Sequence, residues 1–332
     1  MVTVLGVEGG GSHGHAIVAD DTGEVLGIGT VDDSTNWEDV GIEAAGAATK
    51  ACIRWALHAA GVQSDAVTAS VFSLAGVDFP RDADLLGGIP IAMGLTGTVR
   101  IINDAYAALR AGTDRPYGVV ASAGTGAIVA GRNPDGREFR TLGLGPMFGD
   151  SGSASEVSEA AVSAIAAAYS GRGVATCLSE RLSAAAGAAS VADFLERAAR
   201  GRIDPATFSP LVIEAAEQDD RVAIEILADA GKSLGDSALH VIRTLGMEDV
   251  DFDLVLAGGL FRSASAFLVD PLRDVVRPVA PKATPTLLRD PPVIGSVLLA
   301  IELAEVAPSA ETRQRISDGA LAAIGEYRPL ES

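Results

Sequence analysis

Cysteine is almost missing from this chain. Cys52 and Cys177 are the only two among 332 residues, and their spacing suits no metal motif. That argues against a disulfide framework, a structural zinc and cysteine-held iron–sulfur, and suits a reducing, cytoplasmic compartment. Lysine is scarce too, limited to Lys50, Lys232 and Lys282, so cationic contacts rest on arginine. Lys and Arg together number 25 against 44 Asp and Glu, a net charge of -19. So acidic a surface repels phosphate backbones and anionic lipid, which excludes nucleic acid and membrane surfaces as expected partners. An anionic substrate needs a local positive site of backbone N–H groups or a metal ion. No unbroken apolar run approaches the roughly 18 to 20 residues of a spanning helix. The opening MVTVLGVEGGG has no basic segment or cleavage site of an export signal.

What is present is enough apolar material for a core, 48% hydrophobic against 21% charged residues. The length fits two domains of about 150 residues each. Residues 2–7, 15–19 and 25–31 read as strands separated by glycine and Asp-Gly turns, followed by a helix over 37–60. Residues 67–74 and 99–102 are short β-branched runs with helical stretches after them. The order then restarts about 115 residues on: 117–122 is apolar, AGTG is a glycine turn, 127–130 is apolar, and NPDG at 133–136 precedes a further strand. Shared order and turn chemistry predict an internal duplication. The second copy carries a helical insertion over 155–245. Its longest helix, 221–245, puts Ile224, Leu227, Leu234, Ala238, Val241 and Leu245 on one core stripe. A strand at 252–256 runs through AGGLFRS into a helix, 293–302 is helical, and the tail from Pro308 is expected to be a surface helix. The expected division is 1–115, 116–305 and a helical tail 306–332.

Three glycine turns each follow an apolar strand: Gly9-Gly10-Gly11-Ser12, Gly124-Thr125-Gly126 and Gly258-Gly259. Glycine permits positive φ and close approach of backbone N–H groups to an anion, and a hydroxyl in each of the first two turns adds a phosphate contact. GVEGGGS is neither a P-loop, lacking the Lys, nor a dinucleotide fingerprint, since a strand follows it. Any one such turn reads most simply as a plain hairpin; the three together suit phosphate. Three carboxylates sit at strand or turn ends. Glu8 closes the first strand, Asp104 ends RIIND before a helix, and Asp150 lies in GDSG. Asp104 reads as a helix cap or as the base that takes a proton from a substrate hydroxyl in phosphoryl transfer. Asp150 reads as a turn or cap residue or as a carboxylate at a sheet edge. His13 and His15 share one side of a strand. They could pair on a metal but show no third ligand, and are expected to be solvated or to face substrate without a catalytic role. Asn36 in STN is a capping residue or a partner for a sugar hydroxyl.

Taken in order, GVEGGGS (6–12), STN (34–36), SLAGVD (73–78), IINDA (101–105), SAGTGA (122–127), GLGPMFGDSGS (143–153) and AGGLFRS (257–263) resemble one family. It is the BadF/BadG/BcrA/BcrD ATPase family of the actin/hexokinase/Hsp70 superfamily, with the nearest likeness to its N-acetylglucosamine kinases. The resemblance covers nearly the whole chain, from Val4 to about Ala300. It implies an α/β fold of duplicated ribonuclease-H-like, actin-like domains with ATP in a cleft and a helical insertion in the second. It further implies a cytoplasmic, Mg²⁺- and ATP-dependent kinase for an amino sugar, N-acetylglucosamine at O6, in a homodimer. Gly10, Gly11, Ser12, Gly124, Thr125, Gly126, Gly258 and Gly259 would hold ATP, and Glu8 would lie near Mg²⁺. Asn36, Asp104, Gly143, Leu144, Gly145 and Asp150 would bind the sugar, with Asp104 as general base. Ser12 replaces the usual Thr and keeps its hydroxyl. Ala127 and Ile128 follow GTG where polar residues are common, Leu144 replaces a Trp and Ser151 a Glu. Phosphate handling is therefore expected intact and sugar recognition altered, which leaves glucosamine, N-acetylmuramate or another hexose as alternative substrates. The family's dehydratase activators need cysteines for an iron–sulfur cluster, and the repressor/kinase group a cysteine-rich zinc motif; neither is here. A non-catalytic ATP and sugar sensor is the remaining alternative, and Asp104 favours an enzyme over it.

Overall fold

A strand with apolar residues on both sides needs cover on both faces, and the first strand of this chain has it. In the computed structural model, which describes residues 2–324, β1 (Thr3–Gly9) is buried from Val4 to Gly9. With β2 (Gly14–Asp20), β3 (Val25–Val31), β4 (Ala69–Leu74) and β5 (Thr98–Ile102) it forms a sheet in the order β3-β2-β1-β4-β5. β2 is antiparallel to β1 and to β3, while β4 is parallel to β1 and to β5. The two-residue side-chain period sends Leu5 and Val7 into a core with Cys52, Ile53, Ala56 and Leu57 of the helix Ile42–Ala60. Val4 goes to the opposite core, with Val293, Val297 and Ile301 of the helix Pro292–Leu303. Full burial of each such aliphatic side chain is worth about 1.5–3 kcal/mol.

The second sheet holds β6 (Gly118–Ala123), β7 (Ala127–Arg132), β8 (Glu138–Arg140), β9 (Phe252–Ala257) and β10 (Ala283–Leu287), in the order β10-β9-β6-β7-β8. Counted from its own first strand, that is the order of the first sheet, so the duplication read from turn chemistry is present in the topology. The turns after the second strand of each copy are built alike. Asp20 Oδ1 accepts from the backbone N–H groups of Thr22 and Glu24, and Asn133 Oδ1 from those of Asp135 and Arg137. Contacts divide the chain into one unit of residues 2–120 and 288–324 and a second of residues 121–287.

Between β8 and β9 the second unit carries the helices Ala154–Tyr169, Leu178–Ala185, Val191–Ala199, Ser209–Ala216 and Arg221–Leu245. The last keeps the expected bounds, because Asp220 caps its start by accepting from Ala223 N–H and Gly246 ends it in the left-handed conformation. Its expected stripe is buried apart from Ile224, which is half-buried.

Three expectations need correction. The helix over 37–60 is two, Trp37–Val40 and Ile42–Ala60, because Gly41 at φ 83° breaks it. β10 was not anticipated; ATPTL is short and contains Pro285, so its signal is weak. The chain crosses into the second unit at residues 120/121, within β6, and returns at Leu288, rather than dividing at 115 and 305. The returning helix Pro292–Leu303 covers one face of the first sheet, and no local signal marks that long-range contact. The tail helix, Ala310–Ile324, lies at the surface as expected, with one face packed down. Thr312, Ile316, Ser317 and Ala320 are buried, and Arg313 donates to the carbonyls of Ala111 and Thr113. Residues 325–332 of the expected tail lie outside the described residues.

Candidate active site

The β1–β2 turn closes with Gly10 N–H donating to His13 O at 3.1 Å, and Thr35 holds it from outside through its N–H on Gly10 O at 2.9 Å. A Cβ on Gly10 would meet nothing within 4 Å, and one on Gly11 only Asp39 Oδ2 at 3.1 Å. Neither has positive φ. Neither conformation nor packing therefore demands these two glycines, and what they keep is open space over exposed backbone. Gly9 differs, since its Cβ would lie 2.1 Å from Thr35 Oγ1. Ser12 is exposed, with Oγ 3.0 Å from His13 Nδ1.

The β6–β7 turn repeats this. Gly124 N–H donates to Gly126 O and Gly124 O accepts from Ala154 N–H, both at 2.9 Å. Thr125 is exposed, and a Cβ on Gly124 or Gly126 would meet nothing within 4 Å. Gly258 lies against the base of this turn at φ 92°, where a Cβ would sit 2.4 Å from Ala123 O. Gly259 opens a single helical turn, Gly259–Phe261. The second unit thus brings two of the three glycine turns together.

At the end of β5 the capping reading of Asp104 is displaced by its neighbour. Buried Asn103 accepts from Ala105 N–H through Oδ1 at 3.0 Å and donates through Nδ2 to Asp78 Oδ1 at 3.1 Å. Asp104 makes no capping hydrogen bond and keeps partial solvent access. Surrounding protein, then the charges of Glu8 and Asp78, push its carboxyl up to about 7. A carboxyl so poised is suited to general-base work near neutral pH.

Glu8 brings a carboxylate beside the two histidines, a neighbour that the sequence did not show. Glu8 and His15 are register partners across β1 and β2, both buried, with Oε2 and Nδ1 3.2 Å apart. The His13 ring stands edge-on to His15, centroids 4.8 Å apart. One ligand atom from each of Glu8, His13 and His15 lies within 4.8 Å of the others. His15 is therefore neither solvated nor without a carboxylate.

The remaining sugar-binding candidates are largely engaged in structure. Asn36 caps the helix Trp37–Val40 by accepting from Glu38 N–H, and its Nδ2 donates to Asp39 Oδ2 at 3.0 Å. Asp150 is buried, and its Oδ2 accepts from Gly143 N–H at 2.8 Å and Leu144 N–H at 3.2 Å, which fixes the GLGP loop. Gly143 and Gly145 have φ of 77° and 87°, so this loop needs its glycines. Ile128 packs on Gly143, 3.0 Å from where its Cβ would be. Asp150 also borders a cavity of about 640 Å³ lined in part by Phe139, Arg140, Leu142, Phe148 and His240. Asn103, Asp78 and the Ser153–Glu156 capping box were not singled out in the sequence. The box carried the S-x-x-E signal, whereas the Asn103–Asp78 pair bridges 25 positions and had none.

The family model described as the BadF/BadG/BcrA/BcrD ATPase family matches residues 5–300. An N-acetylmuramic acid/N-acetylglucosamine kinase of Clostridium acetobutylicum is 26% identical over 90% of this chain and 98% of its own. An N-acetyl-D-glucosamine kinase of Dictyostelium discoideum is 29% identical over 90% of this chain and 97% of its own. Among solved structures, a protein of Chromobacterium violaceum named as an N-acetylglucosamine kinase superposes with a TM-score of 0.67 at 23% identity, covering 90% of this chain and 99% of that one. A ROK family glucokinase of Streptomyces griseus, solved with glucose and AMPPNP, gives 0.57 at 16% identity over 90% and 99%. Both structural likenesses speak to the fold.

Proposed function

We propose an ATP-dependent amino-sugar kinase, starting from the fact that the chain belongs to the BadF/BadG/BcrA/BcrD ATPase family. The observation that carries the reading is Asp104: relieved of capping by Asn103, partly open to solvent, its carboxyl pushed up to about 7 by burial and acidic neighbours. In this reading Asp104 accepts the proton of the substrate hydroxyl as its oxygen attacks the γ-phosphorus of ATP. The bond from that phosphorus to the β–γ bridging oxygen breaks, and ADP leaves with the electron pair. Ser12 in the first unit and Thr125 in the second each offer an exposed hydroxyl to a phosphate. The space over Gly10, Gly11, Gly124 and Gly126 lets backbone N–H groups approach one.

A bound divalent cation neutralises charge on the transferring phosphoryl group. The buried carboxylate of Glu8, beside the open turn, would act on such an ion through water rather than as its direct ligand. Both curated relatives act on N-acetylated amino sugars by their names, which supports N-acetylglucosamine, phosphorylated at O6, as substrate. Ile128, apolar and packed on Gly143, supports weak discrimination, since a site without a polar partner leaves nothing unpaired when the substrate group is missing. N-acetylglucosamine is then accepted without a preference beyond roughly a thousandfold over glucosamine. A homodimer and a cytoplasmic location belong to the same reading. Among the described residues no helix is long and apolar enough to cross a membrane.

The test is ADP release with Mg-ATP across N-acetylglucosamine, glucosamine, N-acetylmuramate and glucose, with the product's phosphate placed by ³¹P–¹H correlation. Sugar-dependent release fastest on an acetylated amino sugar is expected. Release with none of them would overturn the kinase reading and leave a sensor.

A further inference from the structure

We propose that Glu8, His13 and His15 form a site for one borderline divalent metal ion of the Zn²⁺ or Co²⁺ kind, at the mouth of the glycine hairpin. The proposal rests on the kinase reading only for the phosphate that would complete the ion's coordination.

The donor set decides the class of ion. Mg²⁺ and Ca²⁺ take oxygen ligands, whereas two imidazoles and one carboxylate suit zinc and its neighbours. Three protein ligands with an open position is also the pattern of catalytic rather than structural zinc. Strand geometry supplies the arrangement. Glu8 and His15 face each other across β1 and β2, and His13, in the turn just before β2, stands edge-on to the His15 ring with centroids 4.8 Å apart. The ligand atoms lie within 4.8 Å of one another. Bonds of about 2.1 Å in a tetrahedral site need separations near 3.4 Å, so the side chains close by rotamer adjustment around the ion.

Two further features favour an ion here. Ser12 Oγ lies 3.0 Å from His13 Nδ1, an outer contact that fixes the ring and leaves Nε2 as the ligand nitrogen. The hydrogen bond between His15 Nδ1 and Glu8 Oε2 is buried, so an ion taking its place meets ligands already stripped of water. The surroundings are acidic. The charges of Glu8 and Asp78 both act to raise the Asp104 carboxyl, and a cation at Glu8 lowers that field. The hairpin that copies this one in the second unit has no titratable side chain from Gly118 to Gly131, so the site is confined to one copy. The oxygen of a phosphate held over the neighbouring turn at Gly10–Ser12 would be a fitting fourth ligand.

The experiment titrates the chelator-treated full chain with Co²⁺, following visible d–d absorption, and with Zn²⁺ against a chromogenic chelator. Neither sugar nor nucleotide is present. The wild type is expected to bind one ion. His13→Ala and His15→Ala, checked by circular dichroism for folding, are expected to bind at least tenfold more weakly. His13→Gln is the milder second variant in case His15→Ala does not fold. Ser12→Ala, which removes the outer contact, is expected to cost about tenfold. A wild type that binds no stoichiometric Co²⁺ or Zn²⁺, or folded histidine variants that bind as tightly as it does, would overturn the site. A chain that phosphorylates a sugar with Mg-ATP yet binds no Zn²⁺ sinks this proposal alone. One that binds Zn²⁺ but phosphorylates nothing sinks the kinase reading and leaves the metal site standing.

Discussion

From Glu8 to His15 the first glycine hairpin carries three titratable side chains, whereas from Gly118 to Gly131 the second carries none. Both hairpins sit on sheets of the same strand order, both turns leave a glycine backbone open, and both present one exposed hydroxyl, Ser12 or Thr125. The carboxylate of Asp104 is in the first unit as well, at the end of β5. Duplication has thus repeated an open glycine turn with one exposed hydroxyl, while Glu8, His13, His15 and Asp104 all stand on one copy. Asp150, the carboxylate singled out in the second unit, holds its own loop through Oδ2.

The sharpest way to break this comparison is to exchange the two carboxylates for amides. Asp104→Asn is expected to lower kcat by about 10² to 10⁴, with ATP affinity unchanged by isothermal titration. Asp150→Asn is expected to leave the chemical step alone and to lower stability by about 1–3 kcal/mol, since two partly buried N–H groups lose a charged acceptor. If Asp104→Asn keeps more than a tenth of kcat, the residue is structural and the contrast between units fails. Stability gives an independent reading. Asp104 has a folded pKa above its unfolded one, so the folded state loses stability as pH rises from the unfolded value toward 7. Asp104→Asn should then melt above the wild type at pH 8, with the gap narrowing toward pH 4.

A smaller effect comes with pH alone. The ionised base is depleted below about 7, so kcat/KM for the sugar is expected to fall close to tenfold per unit on the acid side. A profile flat between pH 5 and 7 would remove Asp104 as the group that titrates.

Much of the frame was legible because turn chemistry is local. DDTG and NPDG are written in the chain, and the Asp20 and Asn133 side chains do in the structure what such residues do in turns. The long helix was readable from Asp220, Gly246 and the stripe between them. What could not be read depends on distant partners. The return of Pro292–Leu303 to the first sheet and the Asn103–Asp78 contact each join segments that no local period links, and the Glu8–His15 pair, though within one hairpin, depends on its exact register. Asn36 and Asp150 show the opposite limit. Sequence offered both a structural and a functional role for each, and the structural one is visible in their side-chain bonds without deciding the other.

The two hydroxyls allow a finer test. Thr125→Ala is expected to weaken ATP binding about tenfold, the loss of one hydrogen bond to a charged group. Ser12→Ala should weaken it less, because Ser12 Oγ is shared with His13 Nδ1. Equal losses would mean that Ser12 turns away from His13 when nucleotide binds.

The smallest effect on stability, and the most direct on the turns, is expected from adding one methyl group. Gly10→Ala and Gly124→Ala place a Cβ where nothing lies within 4 Å, at positions without positive φ. The folded chain should accept either, and the narrower unfolded ensemble should add up to about 0.4–1 kcal/mol of stability. Gly9→Ala is the control, since its Cβ lies 2.1 Å from Thr35 Oγ1 and the folded state must move to take it. A fold that tolerates the methyl leaves nucleotide as the reason for the open space. ATP affinity should therefore fall in Gly10→Ala and Gly124→Ala while their melting temperatures hold or rise. Should both variants melt normally and bind ATP as the wild type does, neither turn holds a phosphate, and the likeness of the two hairpins is one of architecture alone.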